Sequence, residues 1–139
     1  MNKTLITFFT LLFCLTSSVG WSETIDDLVK RGGIFYKKFT EVLFTGKVDG
    51  EYNGLIKNGI PVGSWVAYHK KNGQLWYKGD FKNGVRDGSW VNYYDNGQLS
   101  YKGNYKNGKE EGYWVWYNYD GNISELLTGT YKDGKRISD

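Results

Sequence analysis

The chain has 139 residues, one cysteine, 19 glycines, 18% aromatic residues and a formal net charge of +3. This length suits one domain, and abundant glycine and aromatic residues favour strands and tight turns over long helices. Basic and acidic residues are interleaved along the chain, so it lacks the concentrated basic surface that is typical of nucleic-acid-binding proteins.

Residues 1–22 are predicted to form a secretory signal peptide. Lys3 precedes an apolar run over residues 5–15, which is too short to span a bilayer and has the length of a signal-peptide core. Small residues at Gly20 and Ser22 predict cleavage after Ser22, with cleavage after Gly20 as the alternative. We therefore expect an exported protein, either periplasmic or extracellular.

The single cysteine, Cys14, lies inside this apolar run. A lipoprotein signal would have a small residue before the modified cysteine, whereas Phe13 stands there. The exported chain is therefore expected to contain no disulfide, despite an oxidising destination.

Residues 23–43 are predicted to form a short N-terminal helix and a cap segment. In "ETIDDLVKRGG", Thr24 is the expected N-cap, Asp27 follows three residues later, and Gly32 ends the helix. We expect this segment to cover the open end of the repeat array that follows. The stretch "FYKKFTEVLFTGKVDG" is predicted to be a degenerate strand pair.

Residues 44–139 contain a repeat in which one fourteen-residue segment recurs as "YNGLIKNGIPVGSW", "YKGDFKNGVRDGSW" and "YKGNYKNGKEEGYW". Asn-Gly or Asp-Gly pairs follow one another at gaps of 11 to 14 residues, and this dipeptide favours type I′ hairpin turns. Two gaps give a period of 24–26 residues, typical of a repeat array. The sequence therefore predicts an all-β fold, an elongated antiparallel β-meander of repeated hairpins.

The turns also predict a register. A two-residue turn at Asn83-Gly84 places Gly79 opposite Gly88 and Tyr77 opposite Trp90. The equivalent predicted pairs in the other copies are Tyr52 with Trp65, Gly54 with Gly63, Tyr101 with Trp114, and Gly103 with Gly112. We expect the rings to share one face, with the glycines leaving room for rings to lie over the backbone.

The intervening turn at Asn96-Gly97 predicts a second set of neighbours. It places Trp90 opposite Gly103, and the other predicted pairs are Asn92 with Tyr101 and Tyr94 with Leu99. Both turns put the same aromatic residues on one face of the sheet, which we expect to be the packed face.

The units "YKGDFKNGVRDGSWVNYYDNGQL" and "YKGNYKNGKEEGYWVWYNYDGNI" resemble MORN repeats (membrane occupation and recognition nexus), and most closely the bacterial repeat variant. The resemblance covers about residues 44–139 and is specific for the repeat rather than for one function. It implies a β-hairpin repeat fold and a role in scaffolding or membrane association. Some bacterial members, of the YwqK type, are antitoxins of toxin–antitoxin modules, so an antitoxin-like role is also implied.

No residue pattern predicts catalysis, a metal site or a cofactor. His69 is the single histidine, and we expect it at a surface turn without a nucleophile beside it. Asp87 and the pair Glu110-Glu111 recur at equivalent turn positions one period apart, where solvated charge is the expected role. The chain is therefore expected not to be an enzyme.

Four aromatic residues fall outside the repeated pairing and form the candidate interaction surface: Trp76, Tyr93, Trp116 and Tyr119. Exposed Trp and Tyr are favoured at interfaces, and burial within the sheet is the alternative. Four lysines that precede turns are expected to line one edge, where they either keep the edge soluble or meet an anionic surface: Lys57, Lys82, Lys106 and Lys132.

The sequence thus predicts an exported, non-enzymatic repeat protein that acts as a protein-interaction or scaffold module. Two alternatives remain open: an antitoxin-like protein that neutralises a toxin, and a protein that binds cell-wall glycan or a membrane surface. An unknown protein is the expected partner, and nucleic acid is not expected.

Overall fold

The computed structural model describes residues 22–138, so the predicted signal peptide, apart from Ser22, lies outside the described residues. Across residues 22–138 the chain forms eleven strands: β1 (Leu28–Arg31), β2 (Ile34–Lys37), β3 (Gly46–Val48), β4 (Tyr52–Lys57), β5 (Ile60–Tyr68), β6 (Leu75–Lys82), β7 (Val85–Tyr93), β8 (Leu99–Lys106), β9 (Lys109–Trp116), β10 (Gly129–Lys132) and β11 (Lys135–Ser138).

Strands β3 to β11 form one antiparallel sheet in which every strand pairs with its neighbours in sequence. Strands β1 and β2 form a separate two-stranded sheet. The predicted all-β meander of repeated hairpins is confirmed. Because each hairpin contacts the hairpins before and after it, the sheet grows along one direction, as in other repeat proteins.

The predicted N-terminal helix is much shorter than expected. A single 3-10 turn covers Ile25–Asp27, and the residues that follow it form strand β1. The predicted cap is present, since the Asp27 carboxylate accepts hydrogen bonds from Thr24 N at 3.0 Å and Thr24 Oγ1 at 2.6 Å. A helix of this length is marginal on its own, and pairing of β1 with β2 satisfies the same backbone groups.

The predicted strand pair within residues 35–50 forms only in part: Tyr36 bridges Leu43, and Phe44 N donates to Phe35 O at 3.0 Å. Strands β2 and β3 both form, but β2 pairs with β1 and β3 pairs with β4. The outer edge of β3 is covered by the chain start: Glu23 N donates to Lys47 O at 3.2 Å, and Asp49 N donates to Glu23 O at 3.0 Å.

The Asn-Gly and Asp-Gly turns are of two kinds, which alternate along the chain. At one edge of the sheet both turn residues have positive φ, 51° for Asn83 and 81° for Gly84, as in a type I′ turn. The predicted type I′ geometry is confirmed at this edge, where the other turns are Asn58-Gly59, Asn107-Gly108 and Asp133-Gly134.

At the opposite edge the type I′ prediction is wrong. Only the glycine has positive φ, 83° at Gly97, and Tyr94 N donates to Gln98 O at 2.8 Å across a wider loop. The Asn96 side chain accepts a hydrogen bond from Gln98 N at 2.9 Å, and such a bond favours a wider turn. The other wider loops contain Asn72-Gly73 and Asp120-Gly121.

The register predicted from the type I′ turns is wrong beyond the first three pairs. Asp80 lies opposite Asp87, but the next pair is Gly79 with Trp90, because Gly88 and Ser89 are extra residues in β7. Tyr77 therefore lies opposite Asn92 rather than Trp90. The same shift separates the predicted pairs Tyr52 with Trp65, Gly54 with Gly63, Tyr101 with Trp114, and Gly103 with Gly112.

The wider loops give a register closer to prediction. Trp90 lies opposite Gly103 and Asn92 lies opposite Tyr101, as expected. Leu99, however, lies opposite Tyr93 rather than Tyr94, because Ser100 is an extra residue in β8.

The two extra residues in β7 place the indole of Trp90 on the backbone of Gly79. A Cβ atom at Gly79 would overlap the five-membered ring of the Trp90 indole, and Trp90 is 1% exposed. The same arrangement is found for Gly54 with Trp65 and for Gly103 with Trp114. A shift of two residues keeps alternation intact, so the rings still share the predicted face.

The buried residues form two clusters under the aromatic rings. The first contains Leu28, Phe44, Val48, Ile56 and Trp65, and the second contains Trp90, Tyr105 and Trp114. Tyr77 and Phe81 pack against both clusters. Leu28 lies in the segment before the repeats, and Phe44 is the first residue of the predicted repeat region. The segment before the repeats therefore contributes to the first buried cluster.

Within residues 22–138 no helix is long and apolar enough to cross a membrane.

We predict that Gly79→Val and Gly103→Val each destabilise the fold, because the added atoms displace a buried indole. The expected loss is about 1–3 kcal/mol, seen as a fall in melting temperature of about 5–15 °C by thermal circular dichroism. Lys78→Val, on the exposed side of the same strand, is the matched control and should change the melting temperature little. Unchanged melting temperatures in both glycine variants would contradict the Trp–Gly packing.

Candidate interaction surface

The packed face carries a continuous row of rings, which we call the aromatic ladder: Trp65, Phe81, Trp90, Tyr105 and Trp114. Successive ring centroids are 5.8, 5.1, 5.9 and 4.8 Å apart, and every contact is edge-to-face. Such contacts add about 0.5–1.5 kcal/mol each beyond burial. The indole N–H groups are also satisfied, as Trp90 Nε1 donates to Asp80 O at 3.0 Å. The ladder therefore stabilises the array and leaves little ring surface for a ligand.

A second set of rings, the tyrosine row, lies beside the ladder and is half-buried: Tyr52, Tyr77 and Tyr101. These residues occupy equivalent positions two strands apart. The ring centroid of Tyr77 is 5.3 Å from that of Trp90, and the centroid of Tyr101 is 5.7 Å from that of Trp114. Burial raises the pKa of Tyr77 to about 12. The tyrosine row therefore offers partly exposed, neutral rings at regular intervals.

A groove of about 530 Å³ lies where the tyrosine row meets the N-terminal segment. Its apolar lining includes Phe35, Tyr52, Tyr77 and Phe81. Charged residues of both signs also line it: Asp26, Lys30, Glu51 and Lys70. Mostly apolar concave sites with a few polar groups are the usual form of binding sites in proteins.

Arg86 lies on the aromatic face, directly opposite Phe81. Its Nη1 donates to the hydroxyls of Tyr101 at 3.2 Å and Tyr105 at 3.1 Å, and its guanidinium carbon lies 4.5 Å from the ring centroid of Trp90. Burial opposes the charge, but the two tyrosines favour it more, so the pKa of Arg86 is raised above its ordinary value. The side chain is therefore a fixed cation on an aromatic surface.

Sequence reasoning missed Arg86 because the repeat comparison emphasised residues that recur. Pro61 and Glu110 stand at the equivalent positions of the neighbouring copies. A two-residue turn at Asn83-Gly84 also places Arg86 opposite Phe81, on the face expected to be packed. A charged residue on a packed face is unusual and therefore informative.

The structure divides the four predicted interaction residues among different places. The ring of Trp76 lies 6.2 Å from Tyr52 and 5.6 Å from His69. Trp116 lies at the other end, with its ring 4.6 Å from that of Tyr101. Both tryptophans are half-buried, and Trp116 Nε1 is buried without a hydrogen-bond partner among the described residues.

The other two predicted residues lie apart from these tryptophans. Tyr93 follows Val91 on the face opposite Trp90. Tyr119 is in a loop, 56% exposed, and its hydroxyl donates to Asp95 Oδ1 at 2.9 Å, which raises the pKa of Tyr119. The four residues therefore do not form one patch, and Trp76 and Trp116 remain the candidates beside the tyrosine row.

The wider loops are tied to one another at intervals of one repeat. His69 Nε2 lies 2.9 Å from Tyr93 O, and the Tyr94 hydroxyl donates to Tyr117 O at 2.8 Å from the equivalent position one repeat later. His69 is half-buried rather than at the surface, because its ring also packs on Trp76. His69 therefore helps to connect the wider loops of neighbouring repeats.

The four predicted edge lysines, Lys57, Lys82, Lys106 and Lys132, are exposed and each comes directly before a type I′ turn. They line one edge of the sheet, as expected, and binding of these lysines to an anionic surface stays a prediction.

Among residues 22–138, no group of three or more His, Cys, Asp or Glu side chains is arranged to hold a metal ion.

Comparison with known families gives a match within the repeat array. Residues 86–107 match the family model described as MORN repeat variant. This segment runs from β7 through the wider loop into β8 and the next turn, so it spans one unit of the array. MORN repeats are protein- and membrane-interaction modules, and the match indicates a repeat protein involved in binding or scaffolding. A comparison with curated proteins gave no significant match.

We predict that Tyr77 and Tyr105 ionise well above pH 10 in the folded protein, because burial raises the pKa of each from 10.0 to about 12. The unfolded chain releases these protons near pH 10, so the fold should be fully stable below that pH and lose stability as the pH rises towards 12. Ultraviolet titration of tyrosine ionisation, with Tyr77→Phe and Tyr105→Phe, measures this. Ionisation of all tyrosines near pH 10 in the folded protein would contradict the prediction.

Proposed function

We propose that the protein is an exported, non-enzymatic interaction module that presents its aromatic face to a protein partner. The observation that carries this proposal is the groove, which joins the tyrosine row to the N-terminal segment and combines rings with charges of both signs. Aromatic residues with a few charged groups at the rim are the composition of protein-binding surfaces. The match to the MORN repeat variant supports a binding role.

Rigidity of the scaffold supports the same proposal. The aromatic ladder and the loop-to-loop hydrogen bonds hold the strands at fixed spacing, so the rings beside the groove are ordered before a partner arrives. A partner that binds an ordered surface loses less conformational freedom overall. Export is proposed from the N-terminal pattern of Lys3 and the apolar run over residues 5–15.

Affinity capture tests the interaction role. Residues 23–139 are immobilised, exposed to envelope extract of the native host, and washed with salt, and the retained proteins are identified. We expect one protein near stoichiometry, lost when Trp76 and Trp116 are both changed to Ala. Phe39→Ala, at an equally apolar residue that is 93% exposed outside the groove, is the control and should retain the partner. Retention of no protein would overturn the proposal.

Export is tested separately by expressing the full chain in a bacterial host and measuring the mass of the product in each fraction. We expect a chain that begins at Glu23 in the periplasmic or extracellular fraction. Cleavage there leaves the new amino group at the edge of β3, where Glu23 N lies 3.2 Å from Lys47 O. An uncleaved chain in the cytoplasm or membrane would contradict the proposal, and a chain that begins at Trp21 would place cleavage after Gly20.

A further inference from the structure

Arg86 carries a positive charge that pairs with no carboxylate in the described part of the chain. Among residues 22–138, the ion pairs join Arg31 to Glu41 and Lys47 to Asp49, and none involves Arg86. Its hydrogen bonds to described residues use Nη1 alone, so Nε and Nη2 have no protein partner there. Tyrosine hydroxyls and aromatic rings surround this half-buried cation, and an anionic ligand would add the opposite charge that these neighbours lack.

The guanidinium is held in one orientation by its surroundings. The rings of Trp90 and Tyr105 lie 4.5 and 5.3 Å from its central carbon, and the two tyrosine hydroxyls accept from Nη1. The remaining edge of the guanidinium, formed by Nε and Nη2, has the planar two-donor geometry that binds a carboxylate through two parallel hydrogen bonds.

The groove and Arg86 share two neighbouring residues. Phe81 lines the groove and lies directly opposite Arg86 in the sheet, and Tyr77, also in the lining, is close enough for the Arg86 charge to act on its hydroxyl. Arg86 bonds to or stacks on three rings of the second buried cluster and its neighbours: Trp90, Tyr101 and Tyr105. One positive charge matches a carboxylate better than a doubly charged phosphate.

The spacing of the tyrosine row indicates the conformation of the ligand. Neighbouring strands lie about 4.8 Å apart, so rings two strands apart repeat at about 9.6 Å. One turn of polyproline II contains three residues and rises about 9.3 Å, so every third side chain of such a peptide meets the next ring. Grooves lined by aromatic rings bind this conformation because it is already ordered.

We propose that Arg86 binds the carboxylate of a Glu or Asp side chain within a proline-rich segment of the partner, which lies along the tyrosine row as a polyproline II helix. This inference rests on the proposed function and names the chemistry of the partner. Arg86 supplies two hydrogen bonds and the charge, and Tyr52, Tyr77 and Tyr101 supply ring surfaces for the prolines.

Isothermal titration calorimetry tests the inference on residues 23–139. The probe is the peptide acetyl-PPPPEPPPP-amide, about 28 Å long as polyproline II, which is long enough to cross the tyrosine row. The matched probe acetyl-PPPPQPPPP-amide lacks the charge. We expect the unchanged chain to bind the glutamate peptide saturably. Its affinity for the glutamine peptide, and the affinity of the variant Arg86→Gln for the glutamate peptide, should each be lower by about tenfold or more.

Lys82→Gln is the matched control, because it removes one positive charge from the exposed lysine edge near the same turn and should leave binding unchanged. Arg86→Lys keeps the charge without the planar pair of donors, and we expect it to bind the glutamate peptide less tightly than the unchanged chain does. Thermal circular dichroism shows whether each variant is folded before its binding is measured. If Arg86→Gln does not fold, the affinity of Arg86→Lys for the glutamate peptide tests the site instead.

Equal binding of both peptides, or binding unaffected by substitution of Arg86, would overturn the carboxylate site. Tighter binding of a peptide with phosphoserine in place of glutamate would assign the site to phosphate and overturn it too. Absence of peptide binding while affinity capture still retains a partner would overturn this inference and leave the interaction module standing. Failure of both experiments would remove both proposals.

Discussion

The packing of a tryptophan ring on the backbone of a glycine is the contact on which the rest of the structure depends. Gly54, Gly79 and Gly103 are each covered by an indole that is at most 3% exposed. An indole fits there only if the facing strand contains two extra residues, which explains the irregular register beside three of the four type I′ turns. Once seated, each indole forms edge-to-face contacts with the rings of the flanking strands, so the packing of one hairpin continues into the next.

Hydrogen bonds between turns reinforce this packing at both edges of the sheet. At the type I′ edge, Gly84 N donates to Pro61 O at 3.1 Å and Gly108 N donates to Arg86 O at 2.8 Å. At the other edge, the loop of one repeat donates to a carbonyl of the next, as Tyr94 does to Tyr117. Stability therefore comes from contacts between neighbouring repeats, and the N-terminal segment supplies the missing neighbour at the first repeat.

Much of the fold could be predicted because turn chemistry and aromatic spacing are local properties of the sequence. The shared face of Tyr77, Phe81 and Trp90 followed from alternation, which a shift of two residues does not disturb. The shift itself could not be predicted, since an added pair of residues leaves the alternation unchanged. The segment after Asp27 has an apolar pattern that is compatible with a helix or a strand. It forms a strand because it pairs with β2, a contact that the local pattern does not indicate. The hydroxyl and ring contacts of Arg86 join residues on different strands, so the sequence alone did not predict them.

The equal spacing of the loop-to-loop bonds has a consequence for how such a protein can change over generations. Each unit ends at the same structural position at which it begins, so duplication or loss of one unit preserves the tryptophan–glycine contact and both kinds of turn. The length of the aromatic face would then change in steps of about 9.6 Å, without redesign of any single hairpin. Copy number would thus set the reach of the surface, and single residues such as Arg86 would set what that surface recognises.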